Sequence, residues 1–353
     1  MMWARRLLLG CLVLAMIALL APAPVATGPS PEGSSFARGE GLLVAVLDSG
    51  VAGDGLELVG RVAAGVDVRA GRGSADTDPI GSGTAMARVI AGAPVGRSKG
   101  EVVRVAGLAP AATILPLRVV GNLGESDDPR VIAQGIVAAT KLRADVIAVG
   151  PYVDLSAQVV LEAVNDAVAH DVVVIGPAPA ASAAGGSIAS GDERPGVLRV
   201  GGAGVDGLPA VSYRPGNVDL LAPSIDGVSA RASGGLHGVG CVSRHAVAYV
   251  AGVATLLRST TPGLTAAEVV RRLLVTARRP VGLVAPDTAA GWGLVDPGAA
   301  MTAANKPAPA SDSKPVGPSQ ILAIGVVVVA ALIGTALLAD RKDTGPARGS
   351  PPR

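Results

Sequence analysis

The sequence is poor in aromatic side chains and in charge. Only 2% of its 353 residues are aromatic, and 30 Lys and Arg against 28 Asp and Glu leave a formal net charge of +2. This balance excludes a strongly basic nucleic-acid-binding protein, and so few rings cannot provide stacking surfaces for bases. Hydrophobic residues make up 49% of the chain. Its length and composition exclude disorder for most of it and allow a large core.

Cysteine is almost absent. The chain has two cysteines, Cys11 and Cys241, and Cys11 lies in a segment that we expect to be removed. The mature protein then keeps Cys241 alone, which excludes an internal disulfide bond. We interpret Cys241 as a small buried apolar residue rather than a redox centre. Paired Cys and His ligands and a glycine-rich phosphate loop are also missing, so we predict neither a metal nor a cofactor.

The amino terminus has the pattern of a secretory signal peptide. Two arginines precede an uncharged apolar run at residues 7–20, and a stretch of small residues follows. A basic segment, an apolar segment of about 7–15 residues and a small-residue exit are typical of an exported protein. We assign residues 1–26 to the signal peptide and residues 27–40 to a short extension. An uncleaved signal anchor is the alternative.

A second apolar segment lies near the carboxyl terminus. Residues 321–339 are uncharged, and at about 1.5 Å per residue they span about 28 Å, enough for one membrane crossing. Arg341 and Lys342 follow after Asp340, and positive charge marks the cytoplasmic side. We therefore predict a single-pass cell-membrane protein with its folded domain outside, a Pro-rich stalk at 305–320 and a cytoplasmic tail at 340–353.

Between residues 41 and 304, apolar runs alternate with helical patterns. The predicted strands are near-continuous apolar runs at 42–47, 113–118, 144–149 and 171–175. The predicted helices, at 130–142 and 156–170, have apolar residues at helical spacing. Thr265 and Glu268 form a capping box before an amphipathic run that reaches Arg278. This alternation predicts an α/β domain whose parallel sheet is covered by helices on both faces.

The first predicted strand ends in Asp48, Ser49 and Gly50. In parallel sheets, functional groups collect at the carboxyl ends of the strands, and a glycine permits a tight turn behind the carboxylate. Taken alone, Asp-Ser-Gly is also a common turn. Asp48 is therefore a candidate functional residue whose meaning depends on the rest of the chain.

Several segments together resemble the subtilisin-like (S8) serine proteases. In chain order they are VAVLDSGV around Asp48, GSGTAMARVIAG from Gly81, GLAPAATILPLRV from Gly107, DVVVIGPAPA from Asp171, PGVLRVGG from Pro195, AYVAGVATLLRS from Ala248 and GWGLVDPGAAM from Gly291. The resemblance covers nearly all of residues 41–304 and implies a subtilisin-like α/β fold. An exported domain with a Pro-rich stalk and one C-terminal span is similar to the mycosin branch, whose members are membrane-anchored and associated with type VII secretion.

The resemblance implies a catalytic triad in the order Asp, His, Ser, and this chain keeps only the first. Asp48 stands at the Asp position, but Ser82 replaces the histidine of the Gly-His-Gly-Thr motif. Arg244 replaces the nucleophilic serine, and Ala180 replaces the asparagine that donates to the oxyanion. Loss of the nucleophile or base costs about 10⁶ in turnover, and loss of an oxyanion donor costs a further factor of about 10²–10³. All four positions are predicted to be catalytically non-functional.

A rearranged active site is the alternative. Ser243 lies next to the nucleophile position, although one step along a helix turns its side chain by about 100°. Among the three histidines, His237 is the candidate base, because its Gly-rich loop could swing inward. His170 should lie at the start of a strand, far from Ser82. His245 follows two residues after Ser243, a spacing that does not face it on a helix.

The substitutions also suggest a structural replacement. Arg244 would start a buried helix, where the macrodipole disfavours a cation, and Asp48 would be a buried carboxylate that has lost its histidine. Ser82 is smaller than histidine, so we expect the Arg244 guanidinium to cross the space and pair bidentately with Asp48. In the alternative, Arg244 turns outward into the cleft and Asp48 hydrogen-bonds Ser82 or the backbone.

These observations predict a mycosin-like pseudoprotease that acts as a binding or scaffold component at the cell envelope. The resemblance implies protein partners in a type VII secretion complex, the cleft could hold a peptide segment, and no nucleic acid is expected. One alternative is a membrane-anchored serine endopeptidase that uses Ser243 and His237, and another is a degenerate product without a role. An enzyme needs a nucleophile and a base within hydrogen-bond reach, whereas a binding module needs only an open cleft.

Overall fold

The computed structural model describes residues 37–94, 106–121, 128–181, 196–224, 236–279 and 286–303, and within them the side chains of 236–241 are not described. The predicted signal peptide, most of the amino-terminal extension, the stalk, the apolar segment and the tail lie outside these ranges, and so does the Cys241 side chain. Among the helices of the described ranges, none has both the length and the apolar character that a membrane crossing requires.

The described residues form a sheet of seven strands with the order β2-β3-β1-β4-β5-β6-β7. Every neighbouring pair is parallel. The strands are β1 (Leu43–Asp48), β2 (Val66–Asp67), β3 (Thr113–Arg118), β4 (Val146–Val149), β5 (Val173–Pro177), β6 (Val197–Ala203) and β7 (Leu220–Pro223). Since β1 pairs with β3 on one side and β4 on the other, it is central, and Asp48 lies at its carboxyl end.

Helices cover both faces of this sheet. They are α1 (Ser82–Ala91), α2 (Pro129–Lys141), α3 (Gln158–Ala169), α4 (Leu236–Thr260), α5 (Ala266–Val275) and α6 (Pro297–Thr302). Alternate side chains of β1 enter different cores: Val44 and Val46 pack with α1, α4 and α5, whereas Ala45 and Leu47 pack with α2 and α3. Burial on both faces explains why the strands read as continuous apolar runs.

The predicted α/β class with a parallel sheet is confirmed. The strand predicted at 113–118 has those bounds, and the two predicted helices correspond to α2 and α3 with ends shifted by one or two residues. The capping box before α5 is present, since the Thr265 hydroxyl accepts from the Glu268 N–H at 3.3 Å and Glu268 Oε2 accepts from the Thr265 N–H at 2.9 Å.

One helix start is wrong in the sequence-based prediction. We expected a helix to begin near Arg244, with His237 in a Gly-rich loop, but α4 begins at Leu236 and includes His237. Glycine and histidine are weak helix formers, and tertiary contacts override such preferences. Here α4 packs against α1 and against the strands from β4 to β7. Arg244 therefore lies about two turns inside the helix, away from its positive end.

Candidate functional site

The site is built on Asp48, at the carboxyl end of the central strand. Its side chain is fully buried. On the adjacent strand the chain turns at Gly150, where an added Cβ would lie 2.3 Å from the Asp48 Cγ. Only glycine allows so close an approach, so the backbone after β4 forms one wall of the Asp48 pocket.

Ser82 lies directly against Asp48. The Ser82 hydroxyl donates to Asp48 Oδ2 at 2.6 Å, and both residues are 0% exposed. The chain therefore brings together two of the predicted site residues, because α1 begins with Ser82 beside the end of β1. The Ser82 hydroxyl is thus engaged with the Asp48 carboxyl and shielded from solvent.

A second carboxylate, Asp78, holds the start of α1. Asp78 Oδ1 accepts from the Ser49 hydroxyl at 2.6 Å and from the Gly81 N–H at 2.8 Å, while Oδ2 accepts from the Thr84 N–H at 2.7 Å. These donors include free N–H groups of the first helical turn. Sequence reasoning missed Asp78, although a carboxylate just before a helix start is a recognised signal.

Arg118, at the end of β3, ties the Asp78 loop to the strands. Its Nε donates to the Ser49 carbonyl at 3.0 Å, its Nη1 to Asp67 Oδ2 at 3.1 Å, and its Nη2 to the Thr77 carbonyl. Gly50 permits this closure, because its φ is 103° and an added Cβ would lie 2.2 Å from the Thr77 carbonyl oxygen. The loop is therefore fixed over the carboxyl end of β1.

The environment of Asp48 favours its neutral form. Burial raises the pKa of Asp48 from its ordinary value of 3.8 to about 7. The Ser82 hydrogen bond opposes this rise in pKa and the nearby charge of Asp78 adds to it, whereas a hydrogen bond from the Ser49 N–H and the positive charge of Arg244 lower the pKa. Asp48 Oδ1 is buried and has no hydrogen-bond partner in the described part of the chain. Both protonation states are consequently populated near neutral pH.

The expected bidentate pair between Arg244 and Asp48 is wrong. Such a pair would give both carboxylate oxygens a donor, yet Oδ1 has none and Oδ2 accepts from Ser82. Arg244 is half-buried and lies well inside α4 rather than at its start. The alternative contact between Asp48 and Ser82 is the one that forms. Arg244 still acts on Asp48 through its charge.

Ser243 and His237, the alternative nucleophile and base, both lie on α4. Ser243 is only 3% exposed, and His237 lies on the same helix, not in a mobile loop. Six positions along a helix separate two residues by about 9 Å along the axis and by about 120° around it. That separation puts the two positions beyond hydrogen-bond reach, which a nucleophile and its base require.

Ala180 and His170 lie at opposite edges of the sheet. Ala180 follows β5 at the carboxyl edge of the sheet, 5% exposed and bridged to Tyr213, and its methyl group cannot donate to an oxyanion. His170 ends α3 at the opposite edge, where its Nδ1 lies 2.8 Å from the Asp166 carbonyl. Within the described ranges, no three His, Cys, Asp or Glu residues are grouped to hold a metal ion.

An apolar cavity of about 530 Å³ lies elsewhere in the domain. It is lined by the first residues of β5 and β6, by one face of α5 and by Trp292. These strand starts are at the amino edge of the sheet, opposite the Asp48 end. The cavity is therefore separate from the candidate site.

Residues 39–293 match the sequence model of the subtilase family, Peptidase S8. Mycosin-1 of Mycobacterium tuberculosis is 32% identical over 335 residues, which cover 79% of this chain and 73% of that protein. Mycosin-3 of the same organism is 31% identical, with 77% of this chain and 70% of that protein covered.

Two solved structures share the fold. The crystal structure of MycP1 with the N-terminal propeptide removed has a TM-score of 0.58 and 28% identity, and the match covers 78% of this chain and 94% of that chain. An intact ESX-5 inner membrane complex contains a chain with a TM-score of 0.59 and 25% identity, with 87% of each chain covered. The predicted subtilisin-like fold is confirmed.

Proposed function

The chain belongs to the subtilase family, and from that premise we propose that it is a mycosin-like homologue without proteolytic activity. In this proposal it acts as a binding or scaffold component at the cell envelope, beside a type VII secretion complex. A peptide segment can occupy its cleft without being cut.

The hydrogen bond from Ser82 to Asp48 carries this proposal. In the family, the residue at this position is the histidine that accepts the proton of the nucleophile, and the Asp orients it. Here a buried hydroxyl takes that place at 2.6 Å from the carboxylate. A serine hydroxyl cannot accept a proton as a general base near neutral pH, so the Asp has no base to orient.

The expected loss of rate supports the same proposal. Removing the base or nucleophile of a triad costs about 10⁶ in turnover, and these losses are not additive because the triad acts as a unit. The residual activity comes from the oxyanion hole and substrate binding. At the oxyanion position this chain has the methyl group of Ala180. Even the residual activity should therefore be reduced.

The proposed location rests on similarity to particular proteins. The matched relatives are mycosins, and one matched structure is an ESX-5 inner membrane complex. The proposal that this chain has the same kind of partner follows from that likeness together with the predicted signal peptide and the apolar segment at 321–339. The proposed topology is one crossing, with the subtilase domain outside.

The first test is labelling of the purified full-length chain with a fluorophosphonate, which reacts with activated serines. We expect no label on the native chain, because Ser243 is only 3% exposed and the nucleophile position holds Arg244. The Ser243→Ala variant should give the same blank result. The double variant Arg244→Ser/Ser82→His, which restores two family residues, should label weakly because Ala180 still lacks a donor.

A label on the native chain that disappears in Ser243→Ala would overturn the proposal and establish a rearranged serine protease. An active subtilisin treated with the same probe is the positive control. Circular dichroism of each variant shows that a blank result comes from a folded protein.

The second test addresses the scaffold role in the bacterium that produces the chain. We expect deletion of the chain to reduce the amount of assembled type VII secretion complex on native gels. Both the native chain and Ser243→Ala should restore the complex equally, since neither relies on proteolysis. Unchanged complex after deletion would contradict the scaffold role, and failure of Ser243→Ala alone to restore it would favour an enzyme.

A further inference from the structure

The two buried oxygens of the Asp48 carboxyl differ in their hydrogen bonding. Oδ2 accepts from Ser82 at 2.6 Å, whereas Oδ1 has no partner among the described residues. Buried polar atoms are nearly always hydrogen-bonded, and an unmatched atom costs more when the group is charged. The packing around Asp48 therefore suits a neutral carboxyl better than a carboxylate.

Asp78 and Arg244 act on this carboxyl through their charges, and Arg118 lies opposite Asp48 on the neighbouring strand β3. Arg118 of β3 is occupied by the Ser49 carbonyl, Asp67 and Thr77. Asp78, from the loop before α1, is held by three donors and opposes a second negative charge nearby. Arg244 of α4 favours that charge. When Asp48 loses its proton, Arg244 of α4 is therefore the charged group that favours the resulting carboxylate.

We propose that the Asp48 carboxyl is a proton-controlled switch of its interaction with Arg244 of α4. When Asp48 is neutral, the packing stays as described, with Ser82 as the donor to Oδ2. When the proton leaves to solvent, the Arg244 guanidinium moves to Oδ1, exchanging its present interactions for an ion pair. The α4 turn that carries Arg244 shifts with it.

The pH range follows from burial. The pKa of Asp48 is raised from 3.8 to about 7 in the folded chain. The stability that the neutral carboxyl contributes to the fold is therefore fully present when the pH is below 3.8. That contribution is lost as the pH rises through about 7. Above this range the described packing contains an unmatched charge, and the form paired with Arg244 is favoured.

The switch deepens the proposed function and rests on it in one respect, because Asp48 is taken to have no catalytic duty. Its readouts involve neither labelling nor a partner. A failure of the switch therefore leaves the proposal of an inactive scaffold unaffected, and the reverse also holds.

The test is a pH titration of the purified full-length chain, read by infrared difference spectroscopy and by hydrogen exchange. The carbonyl band of a neutral buried carboxyl should disappear between about pH 6 and about pH 8 and be absent from Asp48→Asn. Over the same interval, exchange of peptides from α4 around Arg244 should change several-fold relative to α5, after correction for intrinsic rates.

Two arginine variants separate the switch from simple titration. Arg244→Met keeps the length of the side chain but removes its charge, so it should shift the titration to higher pH and abolish the change in α4. Arg88→Met removes an exposed arginine near Glu57 and should do neither.

Three results would overturn the switch. They are a carbonyl band that persists above pH 8, a change in α4 that remains in Asp48→Asn, and an Arg244→Met variant that behaves like the native chain. If Asp48→Asn does not fold, the shift caused by Arg244→Met still decides the matter.

Discussion

The two edges of the sheet hold their carboxylates in different ways. At the amino edge, the Arg258 Nη2 donates to Asp171 Oδ2 at 3.0 Å, and its Nη1 lies 3.7 Å from Asp145 Oδ1. The remaining carboxylate oxygens accept main-chain N–H groups, from Ala266 at 2.5 Å and from Leu43 at 2.8 Å. Each carboxylate oxygen of this cluster therefore has a donor or a cation beside it.

At the carboxyl edge, the Ser82 hydroxyl is the side-chain donor to Asp48 Oδ2, and Oδ1 has no hydrogen-bond partner among the described residues. The amino-edge cluster links α4, α5 and the starts of the strands, as expected of a group that serves the fold alone. At the carboxyl edge, the chain keeps Asp48 at the position of the Asp that orients the catalytic histidine in the family, but Ser82 stands in place of that histidine. A buried oxygen without a donor is a local conflict in the packing. Such conflicts occur at functional sites, and this one persists after the predicted loss of function.

The largest effect that tests this contrast is expected at Arg258. Arg258→Met should lower the free energy of unfolding by about 2–3 kcal/mol, because it removes the cation shared by two carboxylates. Asp171 is 53% exposed, so solvent screening keeps the cost below that of a fully buried pair. Urea denaturation followed by circular dichroism measures the change, provided that the slope stays constant.

Arg88→Met is the matched control, because Arg88 is 42% exposed and lies 3.8 Å from Glu57. A surface pair of this kind is expected to contribute less than about 0.5 kcal/mol. If the two substitutions cost the same, the amino-edge cluster is no more important for the fold than any surface ion pair. The comparison between the two edges would then fail.

Most of the fold could be predicted because its signals are local. Strands buried on both faces appear as apolar runs, which is why β3 was predicted with its correct bounds, Thr113–Arg118. The capping box at Thr265 is equally local. The start of α4 could not be predicted, because the weak helix formers before Arg244 are held in the helix by contacts with distant strands.

The site was predictable in part of its membership but not in its contacts. The family motifs placed Asp48 and Ser82 in one region, and their hydrogen bond was one of two stated alternatives. The role of Asp78 depends on a loop that folds back onto the Ser49 hydroxyl, 29 residues away in the chain. The absence of a donor to Asp48 Oδ1 depends on where the Arg244 side chain packs, which no local pattern encodes.

A smaller effect is expected at Ser82, and it tests the comparison between the two edges of the sheet at the carboxyl edge. Ser82→Ala removes the donor to Asp48 and should lower the free energy of unfolding by about 1–2 kcal/mol at pH 8. The cost should be smaller at pH 5. The Ser82 hydrogen bond lowers the pKa of Asp48, so it stabilises the ionised form more than the neutral one. Without it the pKa rises further, and more stability is lost as the pH increases.

Thr255→Val is the control for Ser82→Ala, because it also removes one fully buried hydroxyl, which donates to the Ala251 carbonyl at 2.7 Å. That bond joins neutral groups, so its loss should cost the same at both pH values. Urea denaturation of both variants at pH 5 and pH 8 measures the difference. An equal loss for Ser82→Ala at the two pH values would mean that Asp48 does not change its protonation between them. The carboxyl edge would then hold its carboxylate as the amino edge does.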